Sequence, residues 1–348
     1  NHYVISQSKS DETNETEVIS QKFFSEVKEV SAAKHSETFF DDFALQPLLP
    51  NKLSHHGPGV AVGDINLDGK NEFVVSSARG QTMTINQIEG QSINSKEIPS
   101  ADIHSISEDM SPLIFDADKD GDMDLFVVSG GVEAEQDSTA LRDRLYLNDG
   151  SGNYNVAPAG SLPSLQVSGS AASAADFDRD GDLDLFVGGR LRRGEYPTSP
   201  KSTLLRNETS DDKIAKFSDA TQDISKTLEN CGMVTSALWS DADGDGWIDL
   251  ILSIEWGPIK IFLNKKGKLV ESTRQSGLST YKGWWNGLAA RDLDGDGDMD
   301  YVVTNFGLNT KYHPSKKKPA QIYYGKFGDA KKPSIVEAKV SEDCILPV

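Results

Sequence analysis

Five nine-residue stretches follow one pattern, Asp-x-Asp/Asn-x-Asp-Gly-x-x-Asp/Glu, at 64–72, 116–124, 176–184, 241–249 and 292–300. Oxygen donors recur at positions 1, 3, 5 and 9. In order they are Asp64, Asn66, Asp68 and Glu72; Asp116, Asp118, Asp120 and Asp124; Asp176, Asp178, Asp180 and Asp184; Asp241, Asp243, Asp245 and Asp249; and Asp292, Asp294, Asp296 and Asp300. Such a cluster repels itself in water and makes sense around a hard cation. Calcium takes about six to eight oxygens, and alternating carboxylates on a curled backbone can all turn inward. Glycine at position 6 permits the sharp reversal, where a Cβ would be costly. Position 7 can lend its main-chain carbonyl, so its side chain varies: Lys70, Asp122, Asp182, Trp247 and Asp298.

An EF-hand would place a bidentate Glu at position 12 between two helices. Here position 12 is Val75, Val127, Val187, Leu252 and Val303, each in a run of strand formers. Magnesium demands a tighter octahedron and keeps more water, so calcium is preferred. Zinc lacks a Cys/His ligand cluster. One acidic loop is readily a solvated turn. Five at regular spacing point to about five calcium sites.

The charge agrees. The 348 residues include 54 acidic and 35 basic ones, net −19. The five loops hold 22 of the acids and 3 of the bases, so the remainder carries 32 of each and is neutral. The acidity is therefore local, and five divalent ions would roughly halve it. No basic stripe marks a nucleic-acid surface, and no apolar run approaches the ~18–20 residues that span a membrane. Cys231 and Cys344 could pair or stay thiols. The chain opens on Asn1 with no leader-like stretch, which fits a processed chain or a fragment.

The elements that must hold these loops repeat with them. First Asp residues fall at intervals of 52, 60, 65 and 51 residues, the size of a four-stranded propeller blade with variable outer loops. Small residues precede each loop, as in Ser170–Ala175 and Asn286–Ala290, and suit a crowded inner strand. Bulky apolar runs follow, such as Leu125-Phe126-Val127-Val128 and Leu250-Ile251-Leu252, and suit strands buried on both faces. Outer hairpins come next, with Leu145-Tyr146-Leu147-Asn148-Asp149-Gly150 carrying a strong turn signal. The expected fold is all-β, a propeller of four-stranded blades over 39–348, behind a polar segment at 1–38. Within that segment, Phe23, Phe24, Val27 and Val30 fit a short helix or a strand. Tyr323–Asp329 reads as a degenerate sixth loop without the alternating carboxylates.

Gly63–Gly69 and Asp180–Val187 resemble the core motif of the FG-GAP/VCBS repeat family, whose calcium loops decorate integrin-like β-propellers. The resemblance covers about 58–310. Leu48-Leu49-Pro50, Leu145–Gly150 and Gly283-Trp284-Trp285-Asn286 are similar to segments of bacterial surface proteins that join these repeats to an ASPIC/UnbV region. The resemblance implies calcium ligands at positions 1, 3, 5 and 9 of each loop, and a seven-bladed propeller. The Phe-Gly and Gly-Ala-Pro signatures are not recognisable. With five good loops, loopless blades (39–57 contributing) or further chain would complete the ring.

What remains is weaker. Trp239, Trp247, Trp256, Trp284 and Trp285 fall within 47 residues; packing between blades is the favoured reading, a sugar-stacking face the other. Arg190, Arg192 and Arg193 beside Glu195-Tyr196-Pro197 suit a solvated connection better than an anion site. Asn14-Glu-Thr16 and Asn207-Glu-Thr209 are glycosylation sequons. The six histidines show no metal spacing, and no catalytic pair of unlike carboxylates stands out. The expectation is a calcium-binding module for protein or carbohydrate, outside the cell, on its surface or in the periplasm, tethered if at all through parts outside this chain. The alternative is a carbohydrate-active lyase or hydrolase on the same scaffold.

Overall fold

The computed structural model describes residues 35–90, 92–98, 105–315, 317–341 and 344–348. Asn14, and with it the helix-or-strand stretch around Phe23 and Val30, lies outside the described residues.

The first three repeats each form a four-stranded antiparallel meander. These are β1 (Val60–Gly63), β2 (Glu72–Val75), β3 (Thr84–Glu89) and β4 (Ser92–Glu97); then β5 (Asp109–Phe115), β6 (Asp124–Ser129), β7 (Arg144–Leu147) and β8 (Asn155–Val156); then β9 (Gly169–Ala175), β10 (Asp184–Gly189), β11 (Thr203–Asn207) and β12 (Phe217–Asp219). The fourth joins β13 (Met233–Ser240), β14 (Asp249–Pro258), β15 (Lys260–Asn264) and β16 (Leu269–Glu271). β14 overruns its blade, and its end pairs with β17 (Lys282–Arg291), which pairs in turn with β18 (Asp300–Asn305). A three-stranded sheet, β19 (Ala320–Gly325), β20 (Ser334–Ser341) and β21 (Cys344–Pro347), ends the chain. The stretch read as a degenerate sixth loop is instead β19 running into its turn to β20.

The five inner strands pack in succession, β1 on β5, β5 on β9, β9 on β13 and β13 on β17. This is a β-propeller array whose sheets do not close into a ring. Val60 and Val62 on β1 and Val302 on β18 are accordingly exposed. The composition explains the layering. Ala and Ser on β9 let inner strands approach one another, whereas every residue of β6 and β10 is buried. A Cβ at Gly130 would fall on the Gly169 carbonyl where the second and third blades meet. Leu125 and Phe126, pointing to opposite faces of β6, fill successive inter-blade layers, and Trp239 stacks on Phe177 with ring centroids 6.1 Å apart. That tryptophan is blade packing.

Each inner strand runs into its acidic loop, so the loops share one end of the array. The opposite end is closed by Leu49, Leu53, Val132, Leu191, Tyr196, Met233 and Ile335. The Arg190–Pro197 connection is only partly solvated: Arg192 is exposed, but the two ends of the connection are anchored. Arg190 is buried in an ion pair with Glu255, whose other oxygen accepts from the Tyr196 hydroxyl. Gln46 holds the main chain of Tyr196 through two hydrogen bonds. Arg144 pairs with Asp109 in the same layer. Cys231 is buried and Cys344 exposed, and they are unpaired.

Two titratable groups at this end have opposite effects on stability. Burial pushes Glu108 up to about 8, helped by Glu37, Glu133 and Asp109 and opposed by the Arg79 N–H. It is protonated in the fold and ionised in the unfolded chain at neutral pH. Its contribution is complete below the unfolded value near 4.5 and is lost as pH rises through about 8. Burial, then Arg190, pushes His56 down to about 4. It stays neutral in the fold, so its contribution is present above about 6.5 and is lost as pH falls toward 4. In saturating calcium, these two contributions should offset each other between about pH 4.5 and 6.5, and unfolding free energy should fall as pH rises beyond that range toward 8. Glu108→Gln should remove an alkaline loss of about 1.4 kcal/mol between pH 7 and 9. Denaturant titrations across pH check this, and an unchanged alkaline limb in the variant would refute the assignment.

Candidate metal centres

The curl of each loop is built by its own backbone. Position 6 is a glycine in left-handed conformation in all five, with φ from 85° to 96°. Its N–H donates to the position-1 carboxylate: Gly69 to Asp64, Gly121 to Asp116, Gly181 to Asp176, Gly246 to Asp241 and Gly297 to Asp292, at 2.8–3.2 Å. The position-7 N–H donates to the position-5 carboxylate in all five, at 2.9–3.2 Å. Position 4 is also left-handed, with Gly244 and Gly295 in the last two loops but Leu67, Lys119 and Arg179 in the first three. In four of the loops the position-9 carboxylate closes the turn by accepting from the position-2 N–H, as Asp124 does from Ala117 at 2.8 Å and Asp249 from Ala242 at 2.8 Å.

This curl converges acids. Carboxylate oxygens of Asp116, Asp118 and Asp124 lie within 4.8 Å of one another, as do those of Asp176, Asp178 and Asp184; Asp241, Asp243 and Asp245; and Asp292, Asp294 and Asp300. Position 5 joins the converging set only in the fourth loop; Asp120, Asp180 and Asp296 stand outside it. The first loop has the same turn, but Gln87 donates to both Glu72 and Asp68, and Asn66 replaces an acid.

The donor set fits a cation. Buried oxygens on Asp116, Asp118, Asp178, Asp184 and Asp241 accept no hydrogen bond. Burial, with repulsion from neighbouring acids, holds Asp124 up at about 7 and Asp184 at about 8. Burial and then Asp120 push Asp122 up to about 6. In the fourth loop the Lys265 ammonium sits 2.7 Å from Asp243 and 2.8 Å from Asp245, a positive charge on two of the four donors. A divalent ion would satisfy the unpaired oxygens and relieve the repulsion in one step.

Residues 116–187 and 241–303 match the family model described as an FG-GAP-like repeat. Each matched segment starts on the first Asp of one loop and ends in the strand after the next, so all four converged clusters fall inside. The chain carries FG-GAP-like repeats. No curated protein matches it. Among solved structures it is similar to an Agrocybe aegerita lectin described as recognising non-reducing terminal N-acetylglucosamine, at 15% identity and TM-score 0.41, over 72% of this chain and 60% of that one. Saccharomyces cerevisiae Sqt1 matches at 11% identity and 0.39, over 79% and 68%. The rhamnogalacturonan lyase YesW matches at 13% and 0.34, over 85% and 66%. This chain therefore spans less than two thirds of the lectin's length. Likenesses of this size carry no functional argument.

The FG-GAP-like loops are tied to one another by residues that the motif does not contain. Asn148, Asn207 and Asn264 end the third strands of the second, third and fourth blades, all buried. The N–H of each donates to the position-9 Asp of its own blade, Asp124, Asp184 and Asp249, at 2.6–2.9 Å. Each amide then bridges two loops. It donates to position 8 of its own loop (Met123, Leu183, Ile248) and to position 2 of the preceding blade's loop (Ile65, Ala117, Phe177). Sequence reading took Asn148 for part of a hairpin turn and Asn207 for a glycosylation sequon. Their recurrence after Tyr-Leu, Leu-Arg or Phe-Leu at the close of the third strand, behind the second, third and fourth acidic loops, is the signal that could have revealed them. Two position-4 side chains add a second tie: Lys119 pairs with Asp182 at 2.8 Å, and Arg179 reaches the Gly246 carbonyl and lies over Trp247.

Proposed function

We propose that this chain is a calcium-loaded β-propeller that works outside the cytoplasm as a binding or adhesion module for carbohydrate or protein. The observation that carries the calcium assignment is the set of buried carboxylate oxygens without hydrogen bonds inside three of the four converged clusters. Asp116, Asp118 and Asp124 with Asp120 would hold one ion; Asp176, Asp178 and Asp184 with Asp180 a second. Asp241, Asp243, Asp245 and Asp249 would hold a third, and Asp292, Asp294, Asp296 and Asp300 a fourth. Asp64, Asn66, Asp68 and Glu72 form the weakest candidate. Bound calcium would supply charge neutralisation and a cross-link within each loop. Extracellular sites of this kind work at about 10⁻⁴–10⁻³ M, which resting cytosol does not supply; this motivates the location.

A binding role is supported by where the other acids are spent. Asp109 and Glu255 are locked against Arg144 and Arg190, and Asp42 accepts from Leu53 and Ser54 beneath the apolar closure. These acids are structural, which counts against an open acid–base pair. The test is an array of glycans and extracellular matrix proteins probed with calcium-loaded and chelator-treated protein, run beside a polysaccharide turnover assay. Calcium-dependent retention without product release is the expected result. Release of shortened or unsaturated sugars would replace this reading with the lyase or hydrolase.

A further inference from the structure

We propose that the cleft between the fifth inner hairpin and the C-terminal sheet binds a neutral oligosaccharide; the proposal rests on the binding-module reading and names its site. The cleft holds about 900 Å³ and lies at the end of the array away from the calcium loops, between the 280–285 segment, the end of β18 and the start of β19. That volume falls within the range of ligand-binding pockets.

Three features give the ligand's chemistry. The first is a preformed aromatic wall. Trp284 lies 5.4 Å from Trp256 and 5.1 Å from Phe306 between ring centroids, and Trp256 meets Tyr312 edge-on at 6.1 Å. Each ring locks the next, so a ligand meets a surface whose rotamers are already fixed. At the rim, Tyr281 and Tyr323 are 44% and 43% exposed. Flat aromatic faces accept the C–H faces of pyranose rings.

The second feature is a pair of oriented amides. Asn305 Oδ1 accepts from the Gly307 N–H at 2.8 Å, and Gln321 Oε1 accepts from the Tyr323 hydroxyl. With both oxygens already accepting, what each amide has left to offer a ligand is its NH₂ donor. Position 283 is glycine because a Cβ there would strike the Asn305 amide nitrogen and the Trp285 ring. The glycine thus lets amide and indole sit side by side. Donors flanking an aromatic plane suit a ligand with hydroxyls on its edges and carbon on its faces.

The third feature is charge. In a chain with 54 acids, no Asp or Glu among the described residues lines the cleft, and Lys282 is the one charged lining residue among them. This disfavours a metal, a cationic ligand and carboxylate-driven hydrolysis at this place. A single lysine also falls short of a polyanion site, which leaves a neutral sugar.

The experiment measures binding of neutral oligosaccharides, built from glucose, galactose, mannose or N-acetylglucosamine units, to the calcium-loaded chain by tryptophan fluorescence and calorimetry. Trp285→Ala removes stacking area. Gln321→Glu, at a half-buried strand position, keeps shape and exchanges a donor for an acceptor. Both variants should weaken a bound glycan at least about tenfold, with thermal midpoint and calcium stoichiometry unchanged. Glycan binding that survives Gln321→Glu and Trp285→Ala at full strength overturns the cleft assignment and leaves the module reading standing. So does a wild-type chain that ignores every neutral glycan yet retains a protein or a proline-rich peptide. A wild type that binds neither sugar nor protein overturns both.

Discussion

Chelation of calcium should lower the melting midpoint of this protein by more than about 10 °C, and readdition of calcium should restore it. One site filled at about 100 times its dissociation constant adds about 2.7 kcal/mol. Four sites together would supply about 11 kcal/mol, comparable with the whole stability of a typical fold, about 5–15 kcal/mol. One kcal/mol moves the midpoint of a chain near this size by roughly 2–4 °C. The blades contact mainly their neighbours and should loosen in part separately, so the shift is set below the full sum. The carboxylates explain the direction. Without a cation, Asp124 at about 7 and Asp184 at about 8 sit well above their unfolded values near 3.8. Ionising them in the fold costs stability as pH rises through 7 and 8. The chelator effect should therefore be larger at pH 8 than at pH 6. Magnesium should restore less, because it gives up water reluctantly and demands a tighter shell. Differential scanning calorimetry with chelator, calcium and magnesium decides the matter; an unchanged midpoint in chelator would end the structural-calcium reading.

What could be read from the sequence was whatever the chain encodes within about ten residues. Asp116 to Asp124 forms its turn through contacts seven residues apart or fewer, so residue order alone specifies it. The small residues of β9 and the apolar run of β10 likewise announced an inner strand and a doubly buried one. Contacts between distant positions were not legible. Arg190 finds Glu255 65 positions later, and until that partner is known an arginine in a Gly- and Pro-bounded connection looks solvated. Asn264 bonds Phe177 87 positions earlier, while its local setting, a strand end before Gly267, is that of any turn. The tryptophans divided for the same reason. Trp239 packs between blades, whereas Trp284 and Trp285 line a cleft only because β14 overruns its blade and pairs with β17. Nothing in a run of aromatics records which strand will overrun.

Asn264→Leu should cost about 3–9 kcal/mol and weaken calcium at two loops while leaving the others intact. The side chain is fully buried, and three of its bonds have no substitute. Its amide donates to Phe177 at 2.7 Å and Ile248 at 3.0 Å, and its oxygen accepts from Gly267 at 2.8 Å. Leucine nearly matches its volume but orphans two carbonyls and an N–H, each at about 1–3 kcal/mol. The two carbonyls belong to position 2 of the loop at 176–184 and position 8 of the loop at 241–249. Position 2 lies between Asp176 and Asp178, and position 8 adjoins Asp249, so their release loosens donors in both sites. Calcium calorimetry should then show two weakened sites, and the loops at 116–124 and 292–300 should titrate as before. Asn264→Asp should be worse than leucine in the metal-free chain, because it sets a carboxylate oxygen against two carbonyl oxygens in a dry site. A variant that melts early yet binds calcium unchanged would reduce Asn264 to a packing residue. A variant weakened at only one loop would break the claim that each asparagine couples neighbouring blades, and with it the account of why four acidic loops are built as one connected belt.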